Sequence, residues 1–165
     1  MNETVKVIKV GIADLNVVRP PDRIRTAGLG SCVGIVIFDE KTKIGGLAHI
    51  MLPDSSLAKT EIFNKAKFAD TAIPQLTDMI INEGALRRRL KAKIAGGAQM
   101  FQFSSKNEIM RIGPRNVEAV KKQLNREHIP IVAEDIGGNN GRTIEFDPST
   151  GLLEIRTVNK GVSII

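Results

Sequence analysis

The 165 residues include one cysteine, two histidines, no tryptophan and no tyrosine. A lone thiol forms no internal disulfide, so Cys32 is either a small core residue or a chemical tool. One cysteine with two histidines far apart in the chain offers no ligand pair at zinc spacing. Six phenylalanines are the only aromatic side chains, which leaves little to stack on single-stranded bases. No apolar run reaches the roughly 18 residues needed to span a bilayer, and Met1 to Lys6 lacks a basic-then-apolar leader. No integral membrane segment is therefore expected. The expected compartment is the cytoplasm, where reducing conditions keep a thiol usable. The run Gly28-Leu29-Gly30-Ser31-Cys32 lacks the Lys-Ser/Thr tail of a phosphate loop and the third glycine of a dinucleotide fingerprint. Ser31 does not sit in a Gly-x-Ser-x-Gly elbow. No metal or other cofactor is expected.

What remains is ordinary for a globular chain: 42% hydrophobic and 25% charged residues, enough to bury a core over a single domain spanning 1–165. The formal charge of +6 favours acidic partners through screened long-range attraction. Its densest run, Arg87 to Lys93, is most simply a solvated helix end and loop.

Val5 to Ala13 reads as a strand, and the stretch Asn16 to Pro21 ends in Pro20-Pro21, which stops regular structure. Val33–Phe38 is an apolar run of buried-strand type, Asp39 to Thr42 is a turn, and Ile44 to Leu52 is a second strand. Ala66, Ala69, Ile73, Leu76, Met79 and Ile80 recur at helical steps before Gly84. Pro74 either lies in the first turn of a helix capped near Asp70 or Thr71, or kinks a longer one. Leu90 to Ala95 is strand-like. Pro114 opens a second helix with the stripe Val117, Val120 and Leu124, closed by Pro130. Ile131 to Glu134 is a further strand, and Thr143–Phe146 with Leu152–Val158 form a hairpin around Asp147 to Gly151. The expected fold is α/β to α+β: one layered domain, a mixed β-sheet with helices packed on it.

If Phe38 and Lys43 close a four-residue loop, Cys32 falls directly opposite His49. Side chains opposed in this way project from one face, whereas a slip of one residue would part them. Gly34, Gly45, Gly46 and Ala48 leave room beside the pair. An imidazole that removes the thiol proton makes a thiolate nucleophile, and backbone N–H groups around Gly28, Gly30 and Ser31 suit a developing oxyanion. Each residue also has a plain reading: Cys32 as core filler, His49 as a core histidine, the glycines as a tight turn. His128 reads as the end residue of the second helix.

The stretches Thr26-Ala27-Gly28-Leu29-Gly30-Ser31-Cys32-Val33 and Gly46-Leu47-Ala48-His49-Ile50-Met51-Leu52-Pro53 closely resemble the signature of the CheD chemoreceptor glutamine deamidases. Further blocks match in order: Phe68 to Pro74, Lys93 to Ala98, Ile112 to Asn116 and Glu134 to Gly138. The resemblance implies a Cys-His-Thr triad at Cys32, His49 and Thr26, and a layered α/β domain. It also implies glutamine side chains on the cytoplasmic helices of methyl-accepting chemoreceptors as substrate, and the chemotaxis phosphatase CheC as a partner. Thr26 would orient the second imidazole nitrogen, and Gly30 and Ser31 would line the oxyanion. An adaptor that grips receptors or CheC without catalysis is the alternative, with Phe101 and Phe103 as its docking residues. A nucleic-acid protein, resting on Arg87, Arg88 and Arg89, is the remaining class and is not expected.

Overall fold

The computed structural model describes residues 4–100 and 111–165. These form ten strands and two helices: β1 (Val7–Lys9), β2 (Asp14–Val18), β3 (Arg23–Leu29), β4 (Val33–Asp39), β5 (Ile44–Ile50), α1 (Ala69–Asn82), β6 (Lys91–Gly96), α2 (Ile112–Arg126), β7 (Ile131–Ile136), β8 (Arg142–Asp147), β9 (Leu152–Thr157) and β10 (Gly161–Ile164). The α+β class expected from the sequence holds. The single sheet does not: the strands form two five-stranded mixed sheets, ordered β2-β5-β4-β6-β7 and β1-β3-β8-β9-β10.

Three layers result. Both helices cover one face of the first, central sheet, where Ile35, Ile37, Ala48 and Ile50 meet Ile73, Leu76, Val120 and Leu124. Its other face packs on the second sheet, where Val36, Phe38 and Leu47 meet Ile24, Leu29, Ile144 and Phe146. With both faces covered, β4 and β5 are buried at every position, which explains the unbroken apolar run of β4. The outward face of the second sheet carries Arg23, Glu145, Glu154 and Arg156, joined in exposed ion pairs.

The strand expected from Val5 to Ala13 is shorter, only Val7–Lys9, and the next strand begins at Asp14. Ala13 adopts φ 58°, and the chain turns there to send β1 to one sheet and β2 to the other. Helix α1 starts at Ala69 rather than at an Asp70 or Thr71 cap, so Pro74 lies in its second turn. The proline therefore leaves the Asp70 carbonyl without its helical N–H donor. Separately, the Asp70 carboxylate accepts from Ser55, at 2.9 Å from its N–H and 2.6 Å from its hydroxyl. Helix α2 runs through Pro114 in its first turn, as expected, and ends just before His128, whose φ of 58° turns the chain.

The basic run has structural work. Arg89 bonds the fully buried carboxylate of Asp39 at 3.0 Å, and Arg87 reaches Glu127 at 3.2 Å. Burial by itself would raise the Asp39 pKa. The Arg89 guanidinium and the N–H groups of Leu86, Lys41 and Thr42 outweigh it and hold the carboxyl well below the usual range.

Candidate active site

The three residues of the expected triad come from three neighbouring segments at one end of the interface between the sheets. Thr26 lies on β3, His49 on β5, and Cys32 on the turn between β3 and β4. The β3–β8 register shifts between Thr26 and Leu29, a bulge that ends the regular ladder just past Thr26 and swings the chain toward the cysteine turn.

Hydrogen bonding fixes the histidine. The Thr26 hydroxyl donates to the Val10 carbonyl at 2.7 Å, and its oxygen lies 2.7 Å from His49 Nδ1. A hydroxyl has one hydrogen, already given to Val10, so Nδ1 carries the proton and Thr26 accepts it. The Nε2 lone pair is thereby left as the basic site. His49 is fully buried, and Nε2 has no hydrogen-bond partner among the described residues.

The hairpin register differs from expectation. Gly34, not Cys32, lies opposite His49, and Asp39 pairs with Ile44 across a loop of residues 40–43. The loop keeps four residues but moves one step along the chain. Asp39 stays in the strand because Arg89 and Leu86 bind its carboxylate, and Lys43 takes the left-handed turn position at φ 59°. The resulting shift of two in pairing preserves side-chain parity. Cys32, just before β4, becomes a diagonal rather than a direct neighbour of His49, a relation that separates Cα atoms by about 7–8 Å. The thiol and Nε2 are not hydrogen-bonded to each other. The room expected at Gly34 is taken up by core side chains: a Cβ there would stand 2.7 Å from Ile144 Cδ1 and 3.2 Å from Leu29 Cδ1.

Both groups are neutral at rest. Burial pushes the Cys32 thiol up, opposed by its own backbone N–H, and burial pushes His49 down to about 4. Of the residues assigned to the oxyanion, Gly30 spends its N–H on the Gly28 carbonyl at 3.1 Å. Among the described residues, the Ser31 and Cys32 N–H groups have no acceptor on another residue. Phe101 and Phe103 lie outside the described residues. A cavity of about 500 Å³ lined by Asp54, Asp70, Arg115, Glu118, Lys122 and Arg126 holds none of the candidate residues. Among the described residues, no three His, Cys, Asp or Glu side chains are grouped to hold a metal ion, and no helix is long and apolar enough to cross a membrane.

The family model described as CheD chemotactic sensory transduction matches residues 51–157. A chemoreceptor glutamine deamidase CheD of Halalkalibacterium halodurans is 64% identical over 94% of this chain and 96% of its own. The chain belongs to the CheD family. Proteins of the same description from Bacillus licheniformis (55% identical over 100% of this chain and 98% of theirs) and Bacillus subtilis (56% over 96% of each) are similarly related. The matched part of the CheD model begins after Thr26, Cys32 and His49, whereas the full-length relatives span all three.

Two residues of this CheD chain that reach the candidate site were not singled out from sequence. Asn116 on α2 bonds the carbonyls of Ser31 and Met51, both at 2.9 Å. Gly96, at φ 114°, lies so close to the cysteine turn that a Cβ would fall 2.3 Å from the Cys32 carbonyl oxygen. The available signal was a polar residue on the apolar stripe of α2 and a Gly-Gly pair ending a buried strand.

Proposed function

We propose that this chain is a protein-glutamine deamidase acting on chemoreceptors, with Cys32 as nucleophile, His49 as base and Thr26 as the residue that orients His49. The observation that carries this reading is the buried Thr26–His49 hydrogen bond. It leaves an Nε2 lone pair, unpartnered among the described residues, on the sheet face toward which the half-buried Cys32 packs. The names of the close relatives supply the substrate class.

In the reaction His49 Nε2 takes the Sγ proton as the thiolate attacks the glutamine Cδ. Such contacts often close only as substrate binds. The carbonyl electrons move onto oxygen, where the Ser31 and Cys32 N–H groups receive the charge. The imidazolium returns its proton to the departing nitrogen, and ammonia leaves as the thioester forms. Water, deprotonated by the same Nε2, then attacks the thioester carbon and releases glutamate and the thiol.

A thiol raised by burial beside a histidine lowered to about 4 disfavours a resting ion pair, so the thiolate forms only transiently. CheC as a second partner rests on family resemblance and is tested by co-purification. Ammonia release from receptor cytoplasmic fragments tests the activity: wild type converts them and Cys32→Ala does not. Undiminished conversion by Cys32→Ala removes the mechanism.

A further inference from the structure

The cysteine turn is held by its carbonyls. Gly30 O accepts from Ala98 N–H at 2.8 Å, and Cys32 O accepts from Gly97 N–H at 2.8 Å. Between them, Ser31 O accepts from Asn116 Nδ2 at 2.9 Å. Two of these three donors are main-chain groups. Asn116 is the side chain, and it is fully buried. Its second Nδ2 hydrogen goes to Met51 O at 2.9 Å, one residue past the end of β5, the strand that bears His49. Both neighbours are acceptors, so the amide orientation is fixed: a flipped side chain would set its oxygen against two carbonyls. The remaining Oδ1 is buried without a partner among the described residues, so the fold keeps the two donor contacts rather than pairing this acceptor there.

In a planar trans peptide the C=O and the following N–H point in opposite directions. Asn116 stands on α2, which covers the helix-side face of the central sheet through Val117, Val120 and Leu124. Drawing Ser31 O toward α2 therefore directs the Cys32 N–H to the other face. Cys32 packs against the core cluster on that face, and Thr26 meets His49 there.

We propose that Asn116 is a positioning residue: by drawing the Ser31 carbonyl toward α2 and tying it to Met51, it aims the Cys32 N–H at the oxyanion of the deamidation intermediate. The inference rests on the deamidase reading and adds a residue to it. Asn116 touches neither substrate nor the reacting atoms, and acts through the Ser31–Cys32 peptide.

The test separates amide turnover from simple thiol chemistry. Asn116→Ala and Asn116→Gln are compared with wild type for kcat and KM on receptor cytoplasmic fragments. The same proteins are compared for the rate and pH profile of Cys32 alkylation by iodoacetamide, which forms no oxyanion. Loss of one oxyanion donor lowers kcat by about 100-fold or more, so a mis-aimed donor in Asn116→Ala should cost roughly 10- to 100-fold in kcat. KM should stay within about twofold, and the alkylation rate and its pH profile should stay as in wild type. Asn116→Gln, which keeps both N–H donors, should recover part of the loss, and it carries the comparison if the alanine variant does not fold. Unchanged kcat in both variants overturns the assignment. So does a parallel fall in kcat, alkylation rate and melting temperature, which marks a merely structural contact. Ammonia release independent of Cys32, checked with Cys32→Ala alongside, overturns the deamidase reading and this inference with it. A Cys32-dependent release that ignores Asn116 overturns the inference alone.

Discussion

Lowering the pH from 7 to 5 should weaken the fold through one histidine. His49 is fully buried and lowered to about 4 by desolvation, against an ordinary value of about 6.5 in the unfolded chain. The folded pKa lies below the unfolded one. The unfolded state therefore binds the extra proton first, and stability falls as pH drops through the window from about 6.5 to 4. Integrated between pH 7 and 5, the linkage relation gives a loss of about 2 kcal/mol, approaching about 3 kcal/mol at the foot of the window. Asp39 acts in the same direction, since its carboxyl is held low in the fold, but its loss begins only as pH falls toward the unfolded carboxylate value near 4. Urea unfolding at pH 7, 6 and 5 measures the effect, with His49→Gln as reference because its amide does not titrate. Wild type should lose about 2 kcal/mol more than the variant over this range. Equal losses in the two proteins would refute a neutral, buried His49, and with it the assignment of Nε2 as a base that is free at neutral pH.

Thr26→Val removes the oxygen that joins Val10 O to His49 Nδ1. Two buried groups lose their partner at about 1–3 kcal/mol each, and the imidazole tautomer is no longer imposed. Melting temperature and ammonia release should both fall, while Thr26→Ser keeps much of each; wild-type turnover by the valine variant would remove Thr26 from its role. Gly96→Ala forces a Cβ to 2.3 Å from the Cys32 carbonyl at φ 114°. Backbone strain and overpacking of about 1–3 kcal/mol each should lower the melting temperature by roughly 10 °C, and an unchanged melting curve would show that the turn yields.

The elements legible in the sequence were those with one dominant signal. The apolar run Val33–Phe38 became β4, the stripe Val117, Val120 and Leu124 became the buried face of α2, and the turn residues at 147–151 marked the β8–β9 hairpin. Strand β3 was missed because it alternates Arg23 and Arg25, facing solvent, with Ile24 and Thr26, facing the core; the adjacent Pro20-Pro21 hid that period of two. The second sheet followed it out of sight, since pairing between β3 and β8 joins residues more than 100 positions apart. The hairpin register slipped by two because nothing local tells that Asp39 is a strand residue. Its carboxylate is held by Arg89, fifty residues away. Side-chain parity survived the slip, which kept Cys32 and His49 on one face. The role of Asn116 was hidden for a related reason: an asparagine on the apolar stripe of a helix marks a buried polar group but shows neither of the two carbonyls it binds.

Everything proposed for this site turns on a covalent bond between Cys32 Sγ and the substrate carbonyl. Acid-quenching the wild-type enzyme with a receptor cytoplasmic fragment and weighing the intact protein tests that bond. The expected result is an adduct equal to the fragment less one ammonia, mapped to Cys32, cleared by hydroxylamine and absent from Cys32→Ala. Conversion of glutamine to glutamate at wild-type rate by Cys32→Ala, with no such adduct in either protein, would contradict it.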